Sequence, residues 1–221
     1  MIRTKRARRG PPETIGLARL EPFDGDALEA GGEYDALEFG GLDLSGQDAR
    51  DARFTECRLV RCRLDDLVAS RARLWECVVE EPEASALDLS DSILHDVLVS
   101  GGRLGALRGP GATWTDVLMR GVKLNFVDLT GSRLRDVAFE SCEIGELDLG
   151  DAQADSVRLD GCAIDALNIA GARIEALDLS GSVVRRLRGV ESIRGATLSR
   201  EQFADLAPLL AAYLGVEVRD K

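Results

Sequence analysis

The chain has 221 residues, 45% of them hydrophobic, and a formal net charge of -11. That is enough apolar residue for a sizeable core inside an acidic surface. No run of 18 apolar residues occurs and no apolar stretch follows the basic start, which excludes a membrane-spanning helix and a secretory signal and predicts a folded cytoplasmic protein.

Met1 to Gly10 carries +5, from Arg3, Lys5, Arg6, Arg8 and Arg9, and runs into Gly10-Pro11-Pro12. Residues 1–12 therefore read as a basic disordered tail. Residues 13–36 hold Ile15, Leu17, Leu20, Phe23, Leu28 and Tyr34 without a repeat, and the stretch from Pro11 to Ala36 carries -6. Residues 13–36 are predicted to form an N-terminal cap.

From Phe39 a period of five begins. Stepping by five to Val184 gives thirty positions, and all but Gly109 are Ala, Val, Leu, Ile, Met, Phe or Trp. Neither the 3.6 period of a helix nor the 2 of a strand explains this spacing. Two residues before each lies a second inward class, including Ala52, Cys57, Cys62, Leu67 and Ala72. Two inward residues around one outward residue make a very short strand, and the remaining outward residues turn a corner. Four such sides close a square, so residues 37–190 are predicted to form a quadrilateral β-solenoid of seven to eight coils.

Sorting the second inward class by four supports a 20-residue coil. One column reads Ala52, Ala72, Ser92, Ala112, Ser132, Ala152, Ala172, and another reads Leu67, Leu87, Leu107, Val127, Leu147, Leu167 after an initial Gln47. Glycines at 41, 101, 111, 121, 131, 161, 171 and 181 sit two residues after a central position on the large-residue sides. They predict two corner types alternating around each coil, with Pro110-Gly111 suited to a type II turn.

The pentads Leu42-Asp43-Leu44-Ser45-Gly46, Leu147-Asp148-Leu149-Gly150-Asp151 and Leu177-Asp178-Leu179-Ser180-Gly181 resemble the pentapeptide repeat family, whose consensus is Ala-(Asp/Asn)-Leu-x-x. The resemblance implies an all-β, right-handed quadrilateral β-helix. It also implies an expected function, since some members look like duplex DNA and bind DNA gyrase or topoisomerase IV, protecting against quinolones.

Catalytic motifs are missing. The five cysteines, Cys57, Cys62, Cys77, Cys142 and Cys162, all fall in the second inward class and read as reduced core residues. They lack the paired spacing of a zinc site. His95 is the single histidine and is placed outward at a corner. No phosphate-binding, dinucleotide or zinc-hydrolase motif is present, so no enzyme activity, cofactor or metal is expected.

The candidate partner surface is an acidic stripe on one side of the coil. Asp48, Asp88, Asp128 and Asp148 are the outward residues beside its central positions, Asn168 continues the column, and Asp51, Asp91 and Asp151 sit at the nearby corner. Arg50, Arg71 and Arg108 interrupt it. Such a surface suits a basic protein partner, which the resemblance names as gyrase or topoisomerase IV. The alternative is a structural or regulatory scaffold for another protein, in which the acids serve solubility. Trp75 and Phe126 are outward aromatics available to a partner.

Residues 191–221 close the chain. Ser199 before Arg200-Glu201-Gln202 is a capping-box pattern. Phe203, Leu206, Leu210, Tyr213 and Leu214 follow at helical spacing, Pro208 is expected to kink or split the helix, and Gly215 can end it. This helix is predicted to cap the last coil or pair two rods into a homodimer.

Overall fold

The computed structural model describes residues 11, 13–17, 19–25 and 27–217. Apart from Pro11, the basic tail expected over residues 1–12 lies outside the described residues.

Strands hydrogen-bond in parallel to the strand one coil later, and through the body of the repeat the partners are 20 residues apart. Val97 pairs with Val117, Val117 with Val137 and Val137 with Val157. On the next side Leu104 pairs with Leu124 and Leu124 with Ile144. The result is a parallel β-solenoid of about nine turns, about 43 Å long at the spacing of β ladders.

The count exceeds the seven to eight coils expected because segments outside the five-residue pattern add rungs. Strand β1 (Glu21–Pro22) pairs Glu21 with Leu37, and the strand Ala196–Thr197 pairs Ala196 with Leu177. Backbone pairing needs no apolar side chain, so the periodicity does not register these rungs.

The inward classes fill the interior. Phe39, Leu94, Leu104, Leu107, Trp114, Leu129 and Leu149 are fully buried, and the small column Ala52, Ala72, Ser92, Ala112, Ser132 and Ala152 is 0% exposed throughout. Each buried Leu stabilises the fold by about 1.5 to 3 kcal/mol. The small column faces the other mostly small column, Cys62, Pro82, Gly102, Val122 and Cys142, and the larger residues fill the two sides between, so adjacent sides differ in bulk.

All five cysteines are free and buried. Each Sγ lies near the backbone carbonyl of the residue 23 positions earlier: Cys57 at Tyr34, Cys62 at Phe39, Cys77 at Phe54, Cys142 at Met119 and Cys162 at Phe139, at 3.2 to 3.5 Å. A thiol fits a small inward position and still offers a weak donor to the coil below. Burial pushes the Cys62 thiol up. In the stacked pairs, Cys77 and Cys142 are pushed up first by the hydrogen bond to the partner thiol and then by burial.

The corners depart from simple alternation. In the first full coil Asp51, Glu56, Arg61 and Asp66 all have positive φ, so every corner uses the left-handed conformation. In the next coil only Arg71, Glu76 and Glu81 do, the coils up to Ser141 also keep three such corners, as at Gly111, Asp116 and Gly121, and the coil after that keeps two, at Asp151 and Gly161. Asp and Glu fill many of these positions at some steric cost, which is why glycine marks only part of the pattern. The fourth corner straightens, and strands such as Glu83–Asp88 and Lys123–Asp128 run through it. Gly111 has φ 70 and Ala112 donates to the Gly109 carbonyl at 3.2 Å, the type II geometry expected for Pro110-Gly111. Gly181 does not take positive φ, because the ladder slips there and pairs Asp160 with Gly181.

Non-repeating segments lie at both ends. At the front, Phe23 stacks on Phe39 with ring centroids 4.5 Å apart and Tyr34 stacks on Phe54 at 4.8 Å. Tyr34 Oη accepts the Glu29 N–H at 2.8 Å. Gln47, the polar exception in a column of large apolar residues, accepts the Leu28 N–H at 2.7 Å and fastens this lead-in to the first coil.

At the back, helix α1 (Arg200–Leu214) starts at the predicted capping box. Ser199 N–H donates to Gln202 Oε1 at 2.7 Å, Gln202 N–H donates to Ser199 Oγ at 3.1 Å, and Gly215 ends the helix at φ 68. Pro208 lies inside a single helix rather than splitting it. Its missing N–H removes one bond of the ladder, while bonds on either side carry the helix through.

Candidate partner-binding surfaces

The acidic column forms as the register requires. Asp88, Asp128 and Asp148 stand one above another with Arg108 between the first two, and Asn168 follows. Asp88, Asp128 and Asp148 are half-exposed. Ion pairs neutralise the N-terminal part of the stripe. Asp48 takes a bidentate contact from Arg50, and Asp51 takes another from Arg71, with Nε to Oδ1 at 2.8 Å and Nη2 to Oδ2 at 2.7 Å. The hydrogen bonds from Arg50 hold the Asp48 carboxyl at about 2.

Sequence reasoning missed the structural role of these carboxylates. Asp88 Oδ1 accepts the N–H of Ser90 at 2.9 Å, Asp128 Oδ1 accepts that of Thr130 at 2.9 Å, and Asp148 Oδ1 accepts that of Gly150 at 2.8 Å. The bonding repeats at Asp43 with Ser45 and at Asp178 with Ser180 on other sides. Each Asp reaches the backbone two residues on and clamps the chain where it leaves the strand for the corner, an Asx-turn. The second residue of the repeat is therefore both corner clamp and surface charge. The signal was available in the pentad Asp-Leu-Ser, where a hydroxyl follows the acid at the bonding distance.

Asp91 and Asp151 occupy corner positions with φ 55. With Asp88, Asp128 and Asp148 they form the part of the stripe not held in the Arg50 and Arg71 pairs. Trp75, 37% exposed, stacks on His95 with ring centroids 5.6 Å apart, and His95 Nδ1 lies 2.9 Å from Asp96. Phe126 is half-buried among its ladder neighbours Ala106 and Glu146. Trp75 lies on another corner than the acids, whereas Phe126 lies two residues before Asp128 on the strand Lys123–Asp128 and borders the acidic column.

Helix α1 leaves its apolar residues largely uncovered. Phe203 is 56% exposed, Tyr213 57% and Leu214 69%, while Leu206 and Leu210 are half-buried. A single side chain ties it to the solenoid most closely, because Gln202 Nε2 donates to the Leu179 and Ser182 carbonyls at 2.6 Å. Among the described residues there is no cluster of His, Cys, Asp or Glu able to hold a metal ion.

The 20-residue register, the inward pairs and the Asx-clamped corners define the class: a β-solenoid built of five-residue sides. No family model and no curated protein matches the chain. Solved structures similar to it are pentapeptide repeat proteins. One is HetL, a pentapeptide repeat protein involved in heterocyst differentiation regulation from the cyanobacterium Nostoc sp. strain PCC 7120. It is 19% identical over 76% of this chain and 86% of its own, with a TM-score of 0.49. Two trypsin-treated variants of QnrB1, a plasmid-mediated fluoroquinolone resistance protein, are also similar. They are 16% and 17% identical, cover 90% and 86% of this chain and 96% and 100% of their own, and have TM-scores of 0.32 and 0.29.

Proposed function

We propose that the protein is a non-enzymatic protein-interaction module that presents its acidic side to a basic protein surface. The family resemblance of the repeat supplies the candidate partner, the DNA-binding saddle of DNA gyrase or topoisomerase IV. The observation that carries the reading is the column of Asp88, Asp128 and Asp148, whose carboxylates are half-exposed and fixed in direction by their Asx-turns. Carboxylates already held by backbone N–H groups lose little further freedom on binding, which favours association with Lys and Arg.

The exposed apolar residues of α1 support a second element of the proposal, a homodimer in which Phe203, Leu206, Leu210, Tyr213 and Leu214 of two copies meet and lengthen the acidic surface. Supercoiling by gyrase, with and without quinolone, tests the partner. Inhibition or protection that weakens with added salt is expected. Unchanged supercoiling, unchanged quinolone sensitivity and no binding at low salt would reject it.

A second reading rests on the ion pairs at Asp48 and Asp51 and on the structural use of the other acids. In it the rod is a structural or regulatory scaffold for a different protein, and the acids serve the fold and its solubility. Binding that survives removal of the three column charges supports this reading.

A further inference from the structure

One outward column is unlike the rest. Val78, Leu98, Leu118 and Ala138 are successive ladder partners on the first side of the coil. Each lies between two inward residues, as Leu118 lies between Val117 and Met119, so strand alternation directs it away from the core. Even so, Val78 is 6% exposed, Leu118 and Ala138 are 0% exposed, and Leu98 is half-buried. On the opposite side the equivalent Asp88, Asp128 and Asp148 remain half-exposed, so the pleat alone does not bury such a column.

The stripe has charged borders. On one edge the corner residues Glu76, Asp96, Asp116 and Asp136 form an acidic rim, and on the other Glu140 joins Arg120 and Arg158 at 2.9 and 2.7 Å. Burial, with Asp96 and Asp136 alongside, pushes the Asp116 carboxyl up, which agrees with a cover over this edge.

Two observations identify the cover. First, β1 sits at the end of this same ladder, so the residues before Glu21 enter the fold at this side. Second, exposure alternates along that leading segment. Thr14 and Gly16 are exposed while Ile15 and Leu17 are half-buried, the signature of an extended chain with one side against a surface.

We infer that the described residues of the leading segment, 13–17 and 19–20, run along the outside of this side as a strap over Val78, Leu98 and Leu118. Its reach is sufficient. Eight extended residues span about 26 to 29 Å, and Leu118 lies five ladder steps from β1, about 24 Å at strand spacing. Displacing the strap would uncover an apolar floor beside four carboxylates.

The test is thiol labelling of the full-length chain carrying Leu118→Cys, with the labelled peptide read by mass. The five native cysteines are buried and give little background. Adding Ile15→Asp and Leu17→Asp to the full chain is expected to speed labelling of the introduced thiol at least tenfold. Val78→Cys repeats the measurement at a second position in case the first variant folds poorly. Equal rates with and without the two Asp substitutions overturn the inference. So does protection that increases with protein concentration, which would place a second copy of the chain over the stripe.

Discussion

Asn168 donates its Nδ2–H to Asp148 Oδ1 at 3.0 Å, and the same oxygen accepts the Gly150 N–H at 2.8 Å. One carboxylate oxygen thus ties a corner of its own coil to the next coil. The ladder of the acidic side is stitched by side chains as well as by backbone.

This double use separates two substitutions. Asp128→Asn keeps an oxygen for the Thr130 N–H and is expected to hold the urea midpoint nearly constant. Asp128→Ala leaves that N–H without its side-chain partner and should cost about 1 kcal/mol. Equal midpoints for the two variants would show that the Asx-turn contributes nothing.

Glycine acts differently at a corner and at the inward position beside one. Gly121 has φ 64 with open space around it, whereas at Gly102, with φ 75, an added Cβ would collide with the Pro82 carbonyl oxygen. Gly121→Ala should therefore cost about 1 kcal/mol, for backbone conformation alone. Gly102→Ala must also push two coils apart and should lower the thermal midpoint much further. Comparable midpoints for the two would contradict the close approach.

The Asp116 carboxyl is raised by burial and by Asp96 and Asp136, the reverse of Asp48, which its bonds to Arg50 hold at about 2. A raised acid penalises the folded state above its folded pKa, and the penalty fades as pH falls towards the unfolded value of 3.8. Asp116→Asn is thus expected to raise the thermal midpoint at pH 7 and to have little effect below pH 3.8. The Asp48 contribution runs the other way, present above 3.8 and lost as pH falls towards about 2. A stabilisation by Asp116→Asn that is the same at both pH values would contradict this assignment.

Helix α1 offers a contrast between attachment and exposure. Gln202→Ala removes the two hydrogen bonds to the last coil and should speed amide exchange throughout α1, leaving the solenoid protected. Phe203→Asp with Leu214→Asp breaks no contact within one chain, since both residues are exposed there, and acts only on pairing between copies. Light scattering on the full chain should give twice 23.8 kDa, reverting to a single mass in the double variant. A single mass for the parent chain would remove the dimer from the proposal.

The solenoid was legible because its information is local and repeated. Every fifth residue from Phe39 to Val184 states the same inward direction, and Ala52 to Ala172 state which side is narrow. The capping box at Ser199 and the type II corner at Gly111 were legible for a similar reason, since each depends on a few adjacent residues.

Other features depend on partners distant in sequence. The rung at β1 is set by backbone groups of Leu37 and Glu38, and the burial of Leu118 by whatever lies outside it. The left-handed corners at Asp96, Asp116 and Asp136 carry no glycine to announce them. The acidic column was placed correctly in register from sequence, but the use of its carboxylates as corner clamps follows only from the geometry.

The most direct test of the acidic side as a partner surface is the affinity of purified gyrase or topoisomerase IV for two forms of the protein at low salt: the parent chain and a variant carrying Asp88→Asn, Asp128→Asn and Asp148→Asn. The variant keeps the Asx-turns, so a change in affinity reports charge rather than folding. Binding by the parent is expected to fall steeply with salt, and binding by the variant to be at least tenfold weaker. Equal affinities, or no binding by the parent chain, would contradict that expectation.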